Sequence, residues 1–415
     1  MKIYRGYKTE LDPNNKQRSA LFNTAGAARF AYNWGLAQKI KAYEESGKRP
    51  TAYDLHRELN ILKKKEKEDG GFPWMYEVSK CAPQMALQNL DFAFACFFRR
   101  CKNGGKEKGF PAFKTKKIGG GSFTLLEHIR VDRSRIKLPR LGYIKLKEKE
   151  YLPLDGREDI KILSATVSEK AGRWYVALLV EQEVSDPLPI KDEDPHVVGV
   201  DVGVKELAKT SDGEVFENPK AFVKAQKKLR MLDKAVSRKK KGSKNQKKAL
   251  KKRAKHYQKI ANIRRDNQQK ASTAIVKSAD VIVIENLNVE GMKQNRCLSK
   301  AVSDAGMSTF LRQIEYKAEW AGKQVIEASR WYPSSKTCSS PGCGYINKDL
   351  TLKDRFWICP KCGAKHDRDF NASFNLKNLA GSSPVSACCP GGADADRIGR
   401  VKPLVGQEPN TSSEG

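Results

Sequence analysis

The sequence predicts a multidomain fold that combines a helical bundle, a β-barrel and an α/β core. Three observations predict it. Apolar residues recur at helical spacing through the first hundred residues, alternate with a period of two from about residue 122 to 184, and then gather into short valine- and isoleucine-rich runs separated by long helices. A chain of 415 residues fits two to four domains of ordinary size.

Residues 2–9 read as a short strand stopped by Leu11-Asp12-Pro13. Helical spacing follows over residues 14–47 (Leu21, Ala25, Ala28), over 53–67, and over 82–100, where Leu87, Leu90, Phe94, Phe97 and Phe98 form a core-facing stripe. Together these make a small bundle. The texture changes at Gly104-Gly105 and again at Gly119-Gly120-Gly121. Alternating runs then appear at 122–126, 128–131, 135–138, 143–146, 160–168 and 174–184, with Lys170-Ala171-Gly172-Arg173 as a hairpin turn. They predict a β-barrel or strongly curved sheet, which the N-terminal strand completes, so that the bundle becomes an insertion.

After a polar linker (Asp186-Pro187-Leu188-Pro189 and residues 192–195), residues 197–204 form a strand with two faces. Val198, Val200, Val202 and Val204 suit a core, while Gly199, Asp201 and Gly203 share the other face and leave room for something to approach. Residues 220–270 hold 21 Lys and Arg against two acids, which reads as two basic helices broken near residues 241–245. Val281-Ile282-Val283-Ile284 is a buried strand that delivers Glu285 at its end. A helix over 308–321 and a strand over 324–328 follow, and residues 384–415 have a loop-like, disorder-prone composition.

The net charge of +31 calls for a polyanionic partner, and nucleic acid suits it better than a membrane because the basic residues are spread along the chain. No apolar stretch is long enough to span a bilayer and the N-terminus has no signal core, so a cytoplasmic protein is expected. In a reducing compartment Cys81, Cys96, Cys101 and Cys297 are expected to be small buried hydrophobes.

Two features carry chemistry. Cys338, Cys343, Cys359 and Cys362 form two short-spaced pairs that suit one tetrahedral, structural Zn²⁺, with Gly and Pro turning each knuckle. Cys388-Cys389 would chelate awkwardly. Asp201, Glu285 and Asp369 can converge at one edge of a mixed sheet, where they repel one another unless cations lie between them. Two Mg²⁺ about 3.5–4 Å apart over a phosphodiester would satisfy them, which points to a nuclease. Asp369 opens the helix carrying Ala372, Leu376 and Leu379 and so can point at the sheet. Asp367, two residues earlier, is the alternative ligand and suits a cap.

Several segments resemble the TnpB family of insertion-sequence RNA-guided nucleases, related to type V CRISPR effectors: Gly199-Val200-Asp201-Val202-Gly203, Ile284-Glu285-Asn286-Leu287, Ser334-Ser335-Lys336-Thr337-Cys338, the four cysteines, and Asp367-Arg368-Asp369-Phe370-Asn371-Ala372. Pro83-Gln84-Met85-Ala86-Leu87 and Leu138-Pro139-Arg140-Leu141-Gly142 extend the resemblance to almost the whole chain. One departure is the four residues between Cys338 and Cys343, where the family commonly has two.

The resemblance implies a RuvC nuclease core of RNase H-like fold (196–332 and 364–380), interrupted by a zinc-ribbon, target-nucleic-acid-binding insertion (333–363). It also implies a split wedge barrel (1–12 and 121–190), a helical recognition domain (13–120) and a tail over 381–415. It further implies a guide RNA from the transposon end and a double-stranded DNA target cut beside a short adjacent motif, with Asp201, Glu285 and Asp369 holding the magnesium ions. Lys80 and Gln84, four residues apart, look like the motif readers, with Tyr53, Ser122 and Thr124 as further candidates. The competing readings are a repressor that binds without cutting, a transposase and a branched-DNA resolvase. The repressor would be expected to lose an acidic ligand, and a resolvase needs neither bundle nor barrel. The oligomeric state is not legible.

Overall fold

In the computed structural model, residues 2–104, 109–116, 121–152, 159–184, 195–351 and 353–381 are described. Most of the linker and of the glycine breaks, Cys388-Cys389 and the tail beyond residue 381 lie outside them.

Strand β1 (Lys2–Asp12) leads into α1 (Asn15–Ser46), whose start is fixed by a capping box: Asn14 accepts from the Gln17 backbone and Gln17 reaches back to Asn14. Helix α2 (Ala52–Lys64) begins with a second box, Thr51 with Asp54, and a 3₁₀ turn over Pro73–Glu77 precedes α3 (Cys81–Lys102). Leu21, Leu36, Leu55, Leu59, Leu87 and Leu90 are fully buried between these helices. Each contributes about 1.5–3 kcal/mol by leaving water, enough to hold short helices that would be marginal alone.

The antiparallel strands β2 (Ser122–Leu125), β3 (Arg130–Asp132), β4 (Arg135–Leu138), β5 (Gly142–Leu146), β6 (Ile160–Lys170) and β7 (Arg173–Glu183) join β1 in one seven-stranded sheet. Its order is β2-β6-β7-β1-β5-β4-β3, so the N-terminal strand lies inside the sheet and the helices are inserted after it. No hydrogen-bonded pairing of β3 with β2 closes this order among the described residues. Bundle and sheet share one core, in which Leu21 and Ala25 meet Phe123, Trp174 and Val176. The strand expected from residue 128 starts at Arg130 because His128 takes a left-handed φ of 56°.

The remaining strands form a mixed sheet. Strands β8 (Val197–Val202), β9 (Glu206–Thr210) and β10 (Val215–Glu217) make an antiparallel meander. The basic helices α4 (Ala221–Ser237) and α5 (Lys244–Ser278) follow, broken where the composition predicts, and then β11 (Val281–Glu285). Short helices α6 (Val289–Gln294) and α7 (Ser299–Ala305) precede α8 (Met307–Ala321) and β12 (Gln324–Ala328). A two-stranded hairpin, β13 (Phe356–Ile358) with β14 (Lys365–Asp367), ends in α9 (Arg368–Gly381). The order is β10-β9-β8-β11-β12, with β8, β11 and β12 parallel. The β9–β10 meander and α6–α7 are not foreseen, because three- to seven-residue elements give too few repeats for either period to register.

Val198, Val200, Ile282 and Ile284 face Ile275 of α5 and Phe310 and Ile314 of α8, whereas Val283 and Ala328 face Leu376 of α9. The sheet is therefore covered on both faces. Gly199 explains the second layer: a Cβ there would lie 2.0 Å from the Ser373 carbonyl oxygen and 2.5 Å from the Lys377 nitrogen. What approaches the glycine face is α9 itself. Gly199→Ala is expected to lower stability by about 1–3 kcal/mol through overpacking, read as a lower urea midpoint. An unchanged midpoint would show that α9 is not seated on β8.

Of the four scattered cysteines only Cys81 is buried; Cys96 and Cys101 are half-exposed and Cys297 is exposed. The expectation of four core thiols is corrected: Cys96 and Cys101 fall toward the outer side of α3, and Cys297 lies in the turn between α6 and α7. Among the described residues no helix is long and apolar enough to cross a membrane.

Candidate active site

Strands β8 and β11 run parallel with Val200 opposite Ile284, so Asp201 and Glu285 stand level on neighbouring strands, one step further along. Both point to the face that carries Gly199 and Val283, and the first turn of α9 brings Asp369 over that edge. Burial, with Glu285 and Asp369 close by, raises the Asp201 carboxyl well above the usual carboxylate range, against the opposing pull of Arg368 and Lys209. Burial also raises Glu285, with Asp369 adding to the effect while the Ser334 hydroxyl and Arg368 oppose it. These carboxyls sit where the protein supplies too little positive charge for all of them. That is the electrostatic signature of a cation site.

Asp369 balances its charge differently. Its carboxylate lies 3.6 Å from Lys209 Nζ and 3.2 Å from Arg355 Nη1. Asp367 accepts from the backbone N–H groups of Asp369 and Phe370 at 3.1 and 3.0 Å, which makes it the cap of α9, and it pairs with Lys209 at 3.0 Å. Burial works against the Asp367 charge, but those donors hold its carboxyl below the usual range. Lys209 is almost wholly buried; burial alone would lower its ammonium, yet Asp367, Asp369 and Glu206 raise it.

Side chains to which sequence reasoning gave no role brace this site. Ser334 donates to Glu285 at 2.5 Å. Asn371 and Asn375, one helical turn apart and buried, both donate to the Thr337 carbonyl at 2.6 Å, and Asn375 also donates to that of Ser334 at 2.7 Å. They stitch α9 to the loop that leaves β12. Lys209 carries no signal in the sequence, since it stands in the mixed stretch Lys205-Glu206-Leu207-Ala208-Lys209-Thr210; Ser334 and Asn371 fall within the segments that resemble the family, and Asn375 shows only as a polar residue beside Ala372, Leu376 and Leu379.

The four cysteine sulfurs all lie within 4.8 Å of one another, with Cys338–Cys362 and Cys343–Cys359 at 3.6 Å. A tetrahedron of thiolates about 2.3 Å from zinc has edges of roughly 3.8 Å, so these residues fit Zn²⁺. The backbone N–H of Ala364 draws Cys362 down to about 6. Cys343 is pushed up to about 12, where burial and the other thiols outweigh the Tyr345 backbone N–H. Sulfurs this close share protons until a cation replaces them. The four residues between Cys338 and Cys343 do not prevent closure: the Cys338 N–H donates to the Tyr345 carbonyl at 2.7 Å. His366 Nε2 lies 3.1 Å from Cys338 Sγ and so links the cluster to β14.

The five residues suggested as DNA-motif readers fall in two places. Ser122 and Thr124 line a cavity of about 540 Å³ with Ala82 and Ala86 of α3, and Lys80 and Gln84 stand at the same end of that helix. Lys80 is exposed and 3.8 Å from Glu127. Thr124 hydroxyl is 3.0 Å from that of Thr166. Tyr53 is exposed on the first turn of α2, whose Ala52 N–H bonds Asp91. That position is about 10 Å along α3 from Gln84, so the structure does not bring Tyr53 to the cavity.

Comparison with known proteins settles the family. A protein of Streptomyces pristinaespiralis, provisionally named an RNA-guided DNA endonuclease, is 34% identical over 423 residues, covering 100% of this chain and 98% of its own. The chain belongs to the TnpB family. A relative from Escherichia coli K12, InsQ, provisionally named in the same way, is 32% identical over 94% of each chain. Family profiles match residues 177–296 ("Probable transposase"), 308–376 ("Cas12f1-like, TNB domain") and 1–48 ("Helix-turn-helix domain"). In this TnpB-family chain residues 2–48 hold one strand and one long helix instead of a helix-turn-helix. A solved mini-RNA-guided endonuclease, CRISPR-Cas phi3, aligns over 91% of this chain and 92% of its own at 9% identity and a TM-score of 0.46.

Proposed function

We propose that this chain is an RNA-guided DNA endonuclease that hydrolyses phosphodiesters at Asp201, Glu285 and Asp369 with Mg²⁺. The observation that carries the reading is the raised carboxyl pair on β8 and β11 facing the start of α9, in a chain whose full-length relatives bear that name. Divalent cations held there would activate water and stabilise the leaving oxygen. Ser334 orients Glu285, the α9 asparagines hold the start of the helix against the β12 loop, and Lys209 and Arg355 balance the charge of Asp369, which would be a ligand to a bound cation.

The remaining parts divide the labour. The mixed sheet with α9 is the RuvC-type, RNase H-like core, and residues 333–363 are the zinc ribbon that engages target nucleic acid. The seven-stranded sheet is the wedge barrel and the α1–α3 bundle is the recognition domain. Helices α4 and α5 present the densest basic surface for a guide RNA encoded at the transposon end. Lys80 and Gln84, beside Ser122 and Thr124, are placed to read a short motif in duplex DNA. A non-cutting repressor would have no need of three intact carboxylates.

The test is to sequence RNA that copurifies with the protein and to add a plasmid matching its guide segment with Mg²⁺. One abundant RNA and a cut plasmid are expected; a bound but intact plasmid would overturn the nuclease assignment. Within that assay Asp369→Ala is expected to stop cleavage. Asp367→Ala is expected to cost about 1 kcal/mol of stability from the lost cap and leave measurable cutting. The reverse result would make Asp367 the third ligand.

A further inference from the structure

The two most exposed large apolar side chains among the described residues are Trp331, 87% exposed, and Phe356, 75% exposed. Single exposed apolar residues are ordinary on a protein surface. These two are set apart by where they stand.

Trp331 lies in the turn after β12, three residues beyond Ala328, which pairs with Glu285. The turn is held: Tyr332 N–H donates to the Ser329 carbonyl at 3.0 Å, Tyr332 hydroxyl to the Asn375 carbonyl at 3.2 Å, and Ser334 to Glu285. Glu285, Arg330 and Tyr332 line a cavity of about 150 Å³ at its foot. The backbone is thus fixed while the indole projects into solvent beside an exposed arginine. Phe356 stands near the start of α9. Strand β13 buries Trp357 against the cysteine cluster and turns Phe356 outward, directly across from Asp367. Residues opposite one another in a ladder share a face. The Phe356 ring therefore stands on the face that carries Asp367, whose carboxylate meets Lys209, and its neighbour Arg355 meets Asp369.

We propose that Trp331, near Glu285, and Phe356, near Asp367 and Asp369, are stacking platforms that grip an unpaired DNA strand beside the carboxylate site. The inference rests on the nuclease reading above and adds two residues to it: bases stacked on these rings are unpaired. Aromatic rings stack any base, which suits a site that must cut whatever sequence a guide selects. Arg330, Arg355 and Arg368 supply the phosphate contacts that a second protein surface would not need.

The test uses the full-length, zinc-loaded chain made cleavage-inactive by Asp201→Asn. The probe is a single-stranded oligodeoxynucleotide that carries a fluorescent base analogue and has no complementarity to the bound RNA. At fixed low salt, Trp331→Ala and Phe356→Ala are each expected to weaken its binding about tenfold, while Trp331→Phe and Phe356→Tyr retain it. The same oligonucleotide annealed to its complement should bind all variants equally. Phe356→Leu guards against a folding artefact: leucine keeps the apolar bulk without the π face, so loss with leucine and retention with tyrosine supports stacking. Equal binding by parent and alanine variants overturns the proposal, as does equal loss for single strand and duplex. Loss of self-association with unchanged oligonucleotide binding also overturns it, by making the rings a protein contact. Any of these leaves plasmid cleavage by the parent chain untouched, whereas failure of the nuclease reading shows as an uncut plasmid with the rings intact.

Discussion

Asp201→Ala is expected to abolish DNA cleavage while RNA and DNA remain bound. The carboxylate sits at the end of a strand that is buried on both faces, level with Glu285, and burial and its acidic neighbours raise its pKa well above the ordinary range. Removing one ligand from a site that stabilises charge on a phosphodiester costs several kcal/mol, so the rate should fall by about 10³-fold or more. Binding should persist because the bundle lies in another core and the substitution leaves the lysines and arginines of α4 and α5 in place. Wild-type cleavage by this variant, measured as linearised plasmid with time, would remove Asp201 from the chemistry.

The same raised carboxyl predicts an unusual dependence of stability on pH. An unfolded aspartate titrates near about 3.9, whereas folded Asp201 holds its proton to higher pH. Between those two values the folded, metal-free chain binds more protons than the unfolded chain. Its stability therefore rises as pH falls through that window and levels off below it, opposite in sign to a salt-bridged aspartate. Mg²⁺ needs the ionised form, so its stabilising effect should be largest above the folded carboxyl's titration and fade as acid is added. Asp201→Asn is expected to raise the metal-free melting temperature at neutral pH and to remove this part of the pH slope. Melting curves with and without Mg²⁺ at several pH values would check both.

Much of the fold and of the site is legible in the amino-acid sequence because the informative patterns are long or chemically rare. The 32-residue α1 repeats its period many times, the 35-residue α5 shows as part of a long basic stretch, and a valine-only face beside a glycine and aspartate face leaves little choice of strand. Four cysteines at ribbon spacing specify the cluster. Other features have no local signature. That Gly199 seats α9 depends on a helix 170 or so residues later in the chain, and no window of sequence contains both partners. Likewise the pairing of Lys209 with Asp367, and of Asn371 with Thr337, is a product of tertiary placement. The exposure of Trp331 likewise has no local signature, because a single aromatic gives no period to read.

Loss of zinc is expected to disable the carboxylate site from a distance, and Cys359→Ser is the variant that shows it. Cys359 is fully buried and its N–H donates to the Ala364 carbonyl at 2.9 Å across a turn that Gly363, at a φ of 75°, permits. Structural zinc sites carry apparent binding energies of about 10–16 kcal/mol, far more than the small core of Leu350 and Trp357 around these cysteines could replace. The ribbon is tied to the site at two ends. On one side Asn371 and Asn375 hold the Thr337 carbonyl, next to Cys338, and Ser334 holds Glu285; on the other, Arg355 meets Asp369 and His366 runs directly into the Asp367 cap. An unfolded ribbon releases these contacts together. Cys359→Ser should therefore lose its zinc, melt at lower temperature, lose the stabilisation by Mg²⁺ and stop cutting. It should keep its guide RNA, because α4 and α5, like the bundle and the seven-stranded sheet, pack in cores that hold no ribbon residue. Cys297→Ser, exposed and outside the cluster, should match the parent in all of these. A zinc-free chain that still cut at the parental rate would mean that α9 is held by its packing on β8 alone. Asp369 would then need no help from the ribbon.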